Sequence, residues 1–447
     1  PSPSPHRGEG SNVKSLPSAP KAAGNFSDIA TSRIRRNDSM MQLDNLQNST
    51  QAASALMPKV SALTVSTQVL DESYFAHVAG GYWQWRSLYE RDPQASIEQQ
   101  PDYVLTELRY ERRHDTRPGF VLFAQQGHQT VGAAVLVPKS HGGAGRLGLA
   151  WRLRGYRLVG NQTLGSTDEA VIAALLQAVR AVLAQTHADF VMLEDVEEQS
   201  PLRHAVLQGA GGLRVFQPAA FQSHHRIEFC GGAEDYWKKF SSKTRNTLRR
   251  KVKQFEGGRL ERVTQPEQVA DYLAHAHEIS KQSWQSELLG LRVRNDDREL
   301  EMLTRLATEG ALRSYILRKD SVPVSFCFGT QHNGVFMYEE VAYDRRWAEC
   351  SPGQVLVTQM LDDLLAHDMP RVFDFGFGDA EYKRQFGNQV TQSGPLWLLR
   401  PGLKSTLIVG YINGRRRLIQ GVRGLLVQTG MLQLVKQRVK GLRGKKE

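Results

Sequence analysis

Across residues 373–387 the sequence reads FDFGFGDAEYKRQFG. An apolar strand carries one acid, Asp374, and runs through Gly376 and Gly378 into a helical turn holding Tyr382 and Lys383. Strand alternation sets Phe373, Phe375 and Phe377 on one face and Asp374, Gly376 and Gly378 on the other. The aromatic face suits a core. The glycine face leaves bare backbone beside a carboxylate, which suits a substrate passing close. Lys383 could stabilise the oxyanion that forms when a carbonyl is attacked. Asp374 could orient an attacking amine or hold Lys383. Asp379 is placed to cap the turn and Gly387 to end it. A structural Asp–Lys pair at a strand end is the competing reading. A dinucleotide-binding reading of GFGDAE fails, because the third glycine is missing and the strand comes late in the chain.

Two further stretches could join this chemistry. In VFMYEEVAYD (335–344), extended geometry turns Tyr338 and Glu340 one way and Glu339, Val341 and Tyr343 the other. An amine arrives protonated near pH 7, so a base must take its proton, and Glu340 or Glu339 could do so. A salt-bridged acid at a strand edge is the bland alternative. The stretch CSPGQVL (350–356) sits between a strand and a helix, where free backbone N–H groups and the helix dipole favour an anion. Gly353 permits close approach and Pro352 sets the turn; Ser351 could equally be a plain cap. His275 and His277 fall on different faces of a helix and make no metal site. Cys230, Cys327 and Cys350 are too scattered for disulfides or zinc, and no cysteine or serine stands out as a nucleophile, so direct attack on a bound donor is expected.

The elements that must position these residues repeat. Residues 72–228 read as strand, turn, strand (GFVLFAQQGHQTVGAAVLV), a helix over about 168–185, the strand DFVMLEDV and a short helix. Residues 229–400 repeat that order, with LRSYILRKDSVPVSFCFGT, a further strand, a helix over about 354–367, RVFDFGFG and AEYKRQF. This is a mixed α/β unit that is duplicated and diverged. One basic amphipathic helix, DYWKKFSSKTRNTLRRKVKQFEGG, is expected to join the halves. Only LGSTDEA stands in the first half where CSPGQVL stands in the second, so a donor is expected in the second half alone.

The chain has 447 residues, 40% hydrophobic and 23% charged, with a net charge of +11. Residues 401–447 hold eleven of the 57 Lys and Arg and one of the 46 acids, so the tail carries +10 and the rest +1. That distribution argues against a nucleic-acid groove on the body. The tail alternates basic and apolar residues (Leu418, Val422, Leu425, Leu426, Met431, Leu434, Val435), as a helix broken at Gly424 and Gly430 and lying on anionic lipid would; a solvated tail or a helix docked on the body is the alternative. Residues 1–60, rich in Pro, Ser, Gly, Asn and Ala, read as disordered. No apolar run is long enough to span a bilayer, no secretory signal is visible, and a cytoplasmic setting is expected, peripheral to the membrane through the tail.

In order and spacing, SSKTRNTLRRKVKQFEGG, YDRRWAECSPGQVLVTQML and FDFGFGDAEYKRQFG resemble the GNAT-type acyltransferases of the CelD family. Those are similar in turn to the FemAB-type aminoacyl transferases with two tandem GNAT-like halves. The resemblance covers roughly residues 75–400. It implies an N-acyltransferase whose donor lies where two parallel strands splay apart. It implies acyl-CoA as co-substrate and no metal. Ser351, Gly353 and Gln354 would bind the donor, although this loop has fewer glycines than the family's. Lys383-x-x-Phe386 matches the context of a lysine thought to act on the oxyanion in the FemAB-type enzymes. Lys383, Asp374 and Glu340 would be catalytic, and Arg245, Tyr338, Tyr343 and Tyr382 would meet the acceptor, an amine on a polysaccharide or cell-envelope precursor. Two alternatives stay open: a transferase using aminoacyl-tRNA, and a non-catalytic adaptor for membrane or nucleic acid.

Overall fold

A computed structural model describes residues 62–144, 150–209, 212–255, 257–283, 286 and 292–428; the expected disordered segment and the tail beyond Gln428 lie outside these. The first half runs β1 (Leu63–Leu70), α1 (Glu72–Phe75), α2 (Gly80–Arg91), a 3-10 turn (Ile97–Gln99), α3 (Pro101–Glu111), β2 (Gly119–Gln126), β3 (Gln129–Ala144), β4 (Ala150–Leu158), β5 (Leu164–Gly165), α4 (Glu169–Gln185), β6 (Phe190–Glu197), α5 (Pro201–Gly209), β7 (Arg214–Phe216) and β8 (Gln222–Glu228). The second runs α6 (Ala233–Lys238), α7 (Ser242–Gln254), β9 (Gly258–Val263), α8 (Val269–Lys281), α9 (Asp297–Thr308), β10 (Ser314–Lys319), β11 (Val322–His332), β12 (Val335–Tyr343), α10 (Pro352–His367), β13 (Val372–Phe377), α11 (Glu381–Phe386), β14 (Gln389–Leu399) and α12 (Leu403–Gln428).

All described strands join one mixed sheet in the order β1-β2-β3-β4-β6-β14-β8-β13-β12-β11-β10-β9, with β5 on β3 and β7 on β14. Two pairs are parallel, β4 with β6 and β12 with β13, and each needs a crossover, which α4 and α10 supply. The halves exchange strands. β14, late in the chain, pairs with β6, and β8 pairs with β13. Each half thus completes the other's sheet.

One sheet face of the second half packs on α6, α7 and α10 through Phe336, Phe373, Phe375, Leu361 and Leu248. The other packs on α8 and α9 through Phe326, Tyr272, Leu303 and Ala342. Leu361 and Leu364 of α10 are fully buried, so truncating either to Ala costs about 2–5 kcal/mol. The expected single joining helix is two, because the Ser241 hydroxyl accepts from the Thr244 N–H and starts α7 afresh. Phe377 is 44% exposed rather than core, since the β13–β8 register shifts between Asp374 and Phe377. The C-terminal helix begins at Leu403 and passes Gly424 unbroken. Among the described residues no helix is long and apolar enough to cross a membrane.

Candidate active site

β12 and β13 pair through Val335 with Val372, Phe336 with Phe373 and Met337 with Asp374, and no further. Beyond that they part. β12 continues to Tyr343 on β11 alone, while β13 is drawn toward β8. A bulge lies where they part: Tyr338 faces Gly329 and Glu340 faces Phe328, which leaves Glu339 as the extra residue. The bulge overturns simple alternation. Tyr338 packs with Val341 on the α10 face, whereas Glu340 sits opposite Phe328, in the layer of Ala342 on the α8–α9 face.

On the α10 face, Tyr338, Phe375 and Tyr382 form an aromatic wall, with the two tyrosine rings 6.3 Å apart. Burial pushes both phenols up, Tyr382 to about 12, so both stay neutral donors. A 3-10 turn (Arg345–Cys350) leads from β12 to Ser351, which has the left-handed φ of 52° at the N-cap of α10 and caps nothing with its side chain. Pro352 opens the helix and its first turn holds no acid. A Cβ placed on Gly353 would lie 3.7 Å from the Tyr343 ring, so these two residues adjoin. Lys251 of α7 donates to the Gln354 side chain. A bare helix N-terminus with a lysine beside it is an unanswered positive site, open to phosphate. Arg245 stands half-buried on α7 and donates to Ser242 Oγ at 3.4 Å.

The acids occupy the opposite face. Thr330 Oγ1 donates to Glu339 at 2.9 Å. Solvent reaches Glu339, yet protein closes round it as in a crevice, and that desolvation drives its carboxyl up to about 8; the Thr330 bond opposes the shift, and Glu98, Glu299 and Glu340 add to it. Desolvation in the same crevice also raises Glu340, which solvent likewise reaches and which has no hydrogen-bond or ion-pair partner among the described residues. Tyr103 of α3 packs against the α8–α9 cluster and feels the charges of Glu339, Glu98 and Glu107, so the first half supplies one wall.

Asp374 belongs to a buried charged network instead of holding Lys383. Its carboxylate accepts from His224 Nε2 at 2.5 Å, Arg226 Nε at 2.7 Å and the Gly376 N–H at 2.7 Å. Burial pushes this carboxyl up, but His224 and Arg226 outweigh it and hold it below its usual range. Arg226 also pairs with Glu197 at 2.5 Å, and His224 Nδ1 meets Ser393 Oγ at 3.2 Å. Lys383 is buried and donates to the carbonyls of Gly376 and Phe377 at 3.1 and 3.0 Å. Burial lowers its pKa, with Asp374 and Asp379 partly offsetting that. Gly376, at φ +68°, is therefore gripped at its N–H by Asp374 and at its carbonyl by Lys383. Asp379 does not cap α11. It pairs with His225 Nε2 at 3.0 Å and with Arg384.

The structure thus gathers Tyr338, Tyr343, Tyr382, Ser351, Gly353 and Gln354 on the α10 side of the sheet, places Glu340 and Asp374 on the far face, and leaves Arg245 to one side. Sequence reasoning passed over Thr330, Lys251, Tyr103, His224 and Arg226. The run of polar and titratable residues in QSHHRIE, a strand whose only apolar residue is Ile227, was the available signal. A groove of about 460 Å³ between α3 and α9, lined by Tyr110, Glu301 and Arg305, holds none of these groups. No group of three or more His, Cys, Asp or Glu among the described residues could hold a metal ion.

Residues 242–384 match the family model described as an acetyltransferase (GNAT) domain. No curated protein matches the chain. Among solved structures, FemX shares 11% identity over 73% of this chain and 96% of its own, with a TM-score of 0.53. A tandem GNAT protein from the clavulanic acid biosynthesis pathway shares 13% identity over 76% of this chain and 100% of its own, with a TM-score of 0.42. The C-terminal domain of a putative lysylphosphatidylglycerol synthetase from Agrobacterium fabrum shares 14% over 62% and 84%, with a TM-score of 0.41. With its GNAT domain inside a sheet of two GNAT-like halves, this chain is an acyltransferase.

Proposed function

We propose that the chain transfers an acyl group from acyl-CoA to an amine, with residues 229–400 as the catalytic half and residues 72–228 as a half without a donor. The observation that carries this reading is the uncapped start of α10 at the mouth where β12 and β13 part, with Glu339 beyond it. Ser351, Gly353 and Gln354 hold the donor's phosphates by backbone N–H groups, and Tyr343 and Tyr382 line the acyl path. Glu339, with Glu340 beside it, takes the ammonium proton. The freed nitrogen attacks the thioester carbonyl, the C–N bond forms, the C–S bond breaks and the thiolate leaves to be protonated. Lys383 and Asp374 fix the end of β13. Lys383 has three N–H donors and spends two on carbonyls, so the third is free for the oxyanion. The acceptor is an amine on a polysaccharide or envelope precursor, and the setting is cytoplasmic.

Aminoacyl-tRNA is the second donor reading. It is favoured by α7, which carries Lys243, Arg245, Arg249, Arg250, Lys251 and Lys253 and no acid. Incubating the full chain with acetyl-CoA or aminoacyl-tRNA and a panel of amines, read by mass shift, separates the two. Acyl-CoA turnover that is lost in Lys383→Ala while donor binding persists is the expected result. Full turnover in that variant removes the oxyanion role, and transfer from neither donor removes the function.

A further inference from the structure

The C-terminal helix α12 has two unlike faces. Its inner side buries Ser405, Ile408 and Val409 on Leu153, Phe190, Met192, Phe216, Trp397 and Leu399. Lys404 ties its start to Asp189 at 2.6 Å. The helix is therefore docked on the body. On its outer side Leu403, Leu407 and Leu418 are 77%, 63% and 68% exposed. Gly410, Gly414 and Gly421 fall on the same stripe by their spacing, and a Cβ on any of them would touch nothing. Exposed Arg415 and Arg417 flank this stripe. Three leucines this exposed on one stripe mark a contact surface.

We infer that this outer face lies on an anionic lipid surface, on the same side of the sheet as the acid crevice, so that the acceptor amine is carried by an amphiphile in that surface. The last step rests on the acyltransferase reading above. Two features choose the occupant. Leucine and glycine between arginines fit the acyl–headgroup boundary of an anionic membrane. A second copy of the helix could use the glycines for close approach, but self-packing would bring two basic faces together with no acid on the helix to answer them. The location fits as well. Phe190 and Met192 of β6 carry α12, and Asp195 and Glu197 of the same strand and the same sheet face meet His224 and Arg226. The strand rise puts the residues under α12, Phe190 and Met192, roughly 10–17 Å along β6 from Asp195.

Co-sedimentation of the full chain with vesicles of phosphatidylcholine, with and without phosphatidylglycerol, tests this. Binding is expected only to the anionic vesicles. Arg415→Gln with Arg417→Gln weakens it roughly 30-fold, from about 1 kcal/mol per basic residue at 1.4 kcal/mol per tenfold. Leu403→Glu, Leu407→Glu and Leu418→Glu together abolish it, and transfer to a short soluble amine is unchanged in every variant. Equal binding to neutral vesicles, unchanged binding by both variants, or a dimer that the leucine changes dissociate overturns the inference. Vesicle binding without any transfer in the wild type removes the enzymatic reading and leaves the lipid contact standing.

Discussion

In the first half β4 and β6 run parallel with α4 as their crossover; in the second, β12 and β13 run parallel with α10 as theirs. The strand plan is shared and the charges are not. The N-terminus of α4 is capped by Asp168, whose carboxylate accepts from the Ala170 N–H at 2.8 Å, and Glu169 stands in its first turn. α10 has neither device. β4 ends at Leu158, directly after its last pair, and the Arg157 guanidinium there is buried against Glu107 at 2.8 and 2.7 Å. β12 runs on past its last pair, and the carboxyl that follows, Glu339, meets a hydroxyl and other acids but, among the described residues, no cation. Where the chain answers its own charges, none is left for a ligand to pair. Where it leaves them open, a ligand can answer them.

The comparison breaks most visibly at Glu339. Glu339→Gln lowers kcat by about 10²–10⁴-fold with donor affinity intact, the usual weight of a general base. Stopped-time assays beside calorimetric donor titration check this, and a normal kcat removes Glu339 from the chemistry. In the wild type kcat rises with pH through about 8, and that limb vanishes in the variant. Stability runs the other way. A carboxyl raised from 4.5 to about 8 on folding contributes fully below 4.5, and that contribution is lost as pH rises through about 8.

Next is the filled notch of the first half. Arg157→Met strands Glu107 beside Glu98 and Glu194 and costs about 3–5 kcal/mol. Urea unfolding measures it, and wild-type stability in this variant means the pair is not buried. A smaller change makes the second half resemble the first. Gln354→Glu puts a carboxylate in the first turn of α10 beside Lys251, which stabilises the helix by about 0.3–1 kcal/mol. The same change weakens donor affinity tenfold or more; an unchanged Kd argues that the donor phosphates bind elsewhere. Smallest is Asp168→Ala, which costs about 1 kcal/mol at the α4 cap and leaves donor affinity untouched.

Much of this was legible along the chain. Val171, Ile172, Leu175, Leu176, Val179, Val182 and Leu183 mark α4 by period and are all buried, and the repeated strand–helix–strand order revealed two like halves. The contrast of CSPGQ with STDEA was visible, but not that Ser351 leaves its helix uncapped. Three things were hidden for physical reasons. The exchange of β8 and β14 is a long-range pairing with no local pattern. The bulge at Glu339 depends on how β11 registers against β12, so two adjacent glutamates read as alternation. The Asp374 network needs His224 and Arg226 from the other half, so the nearer Lys383 looked like the partner and instead closes on the Gly376 and Phe377 carbonyls.

Calorimetric titration of the full chain with CoA tests the asymmetry most directly. One site per chain is the predicted stoichiometry, weakened tenfold or more by Gln354→Glu and unmoved by Asp168→Ala. Two sites, or binding lost through Asp168 and kept through Gln354, would contradict it.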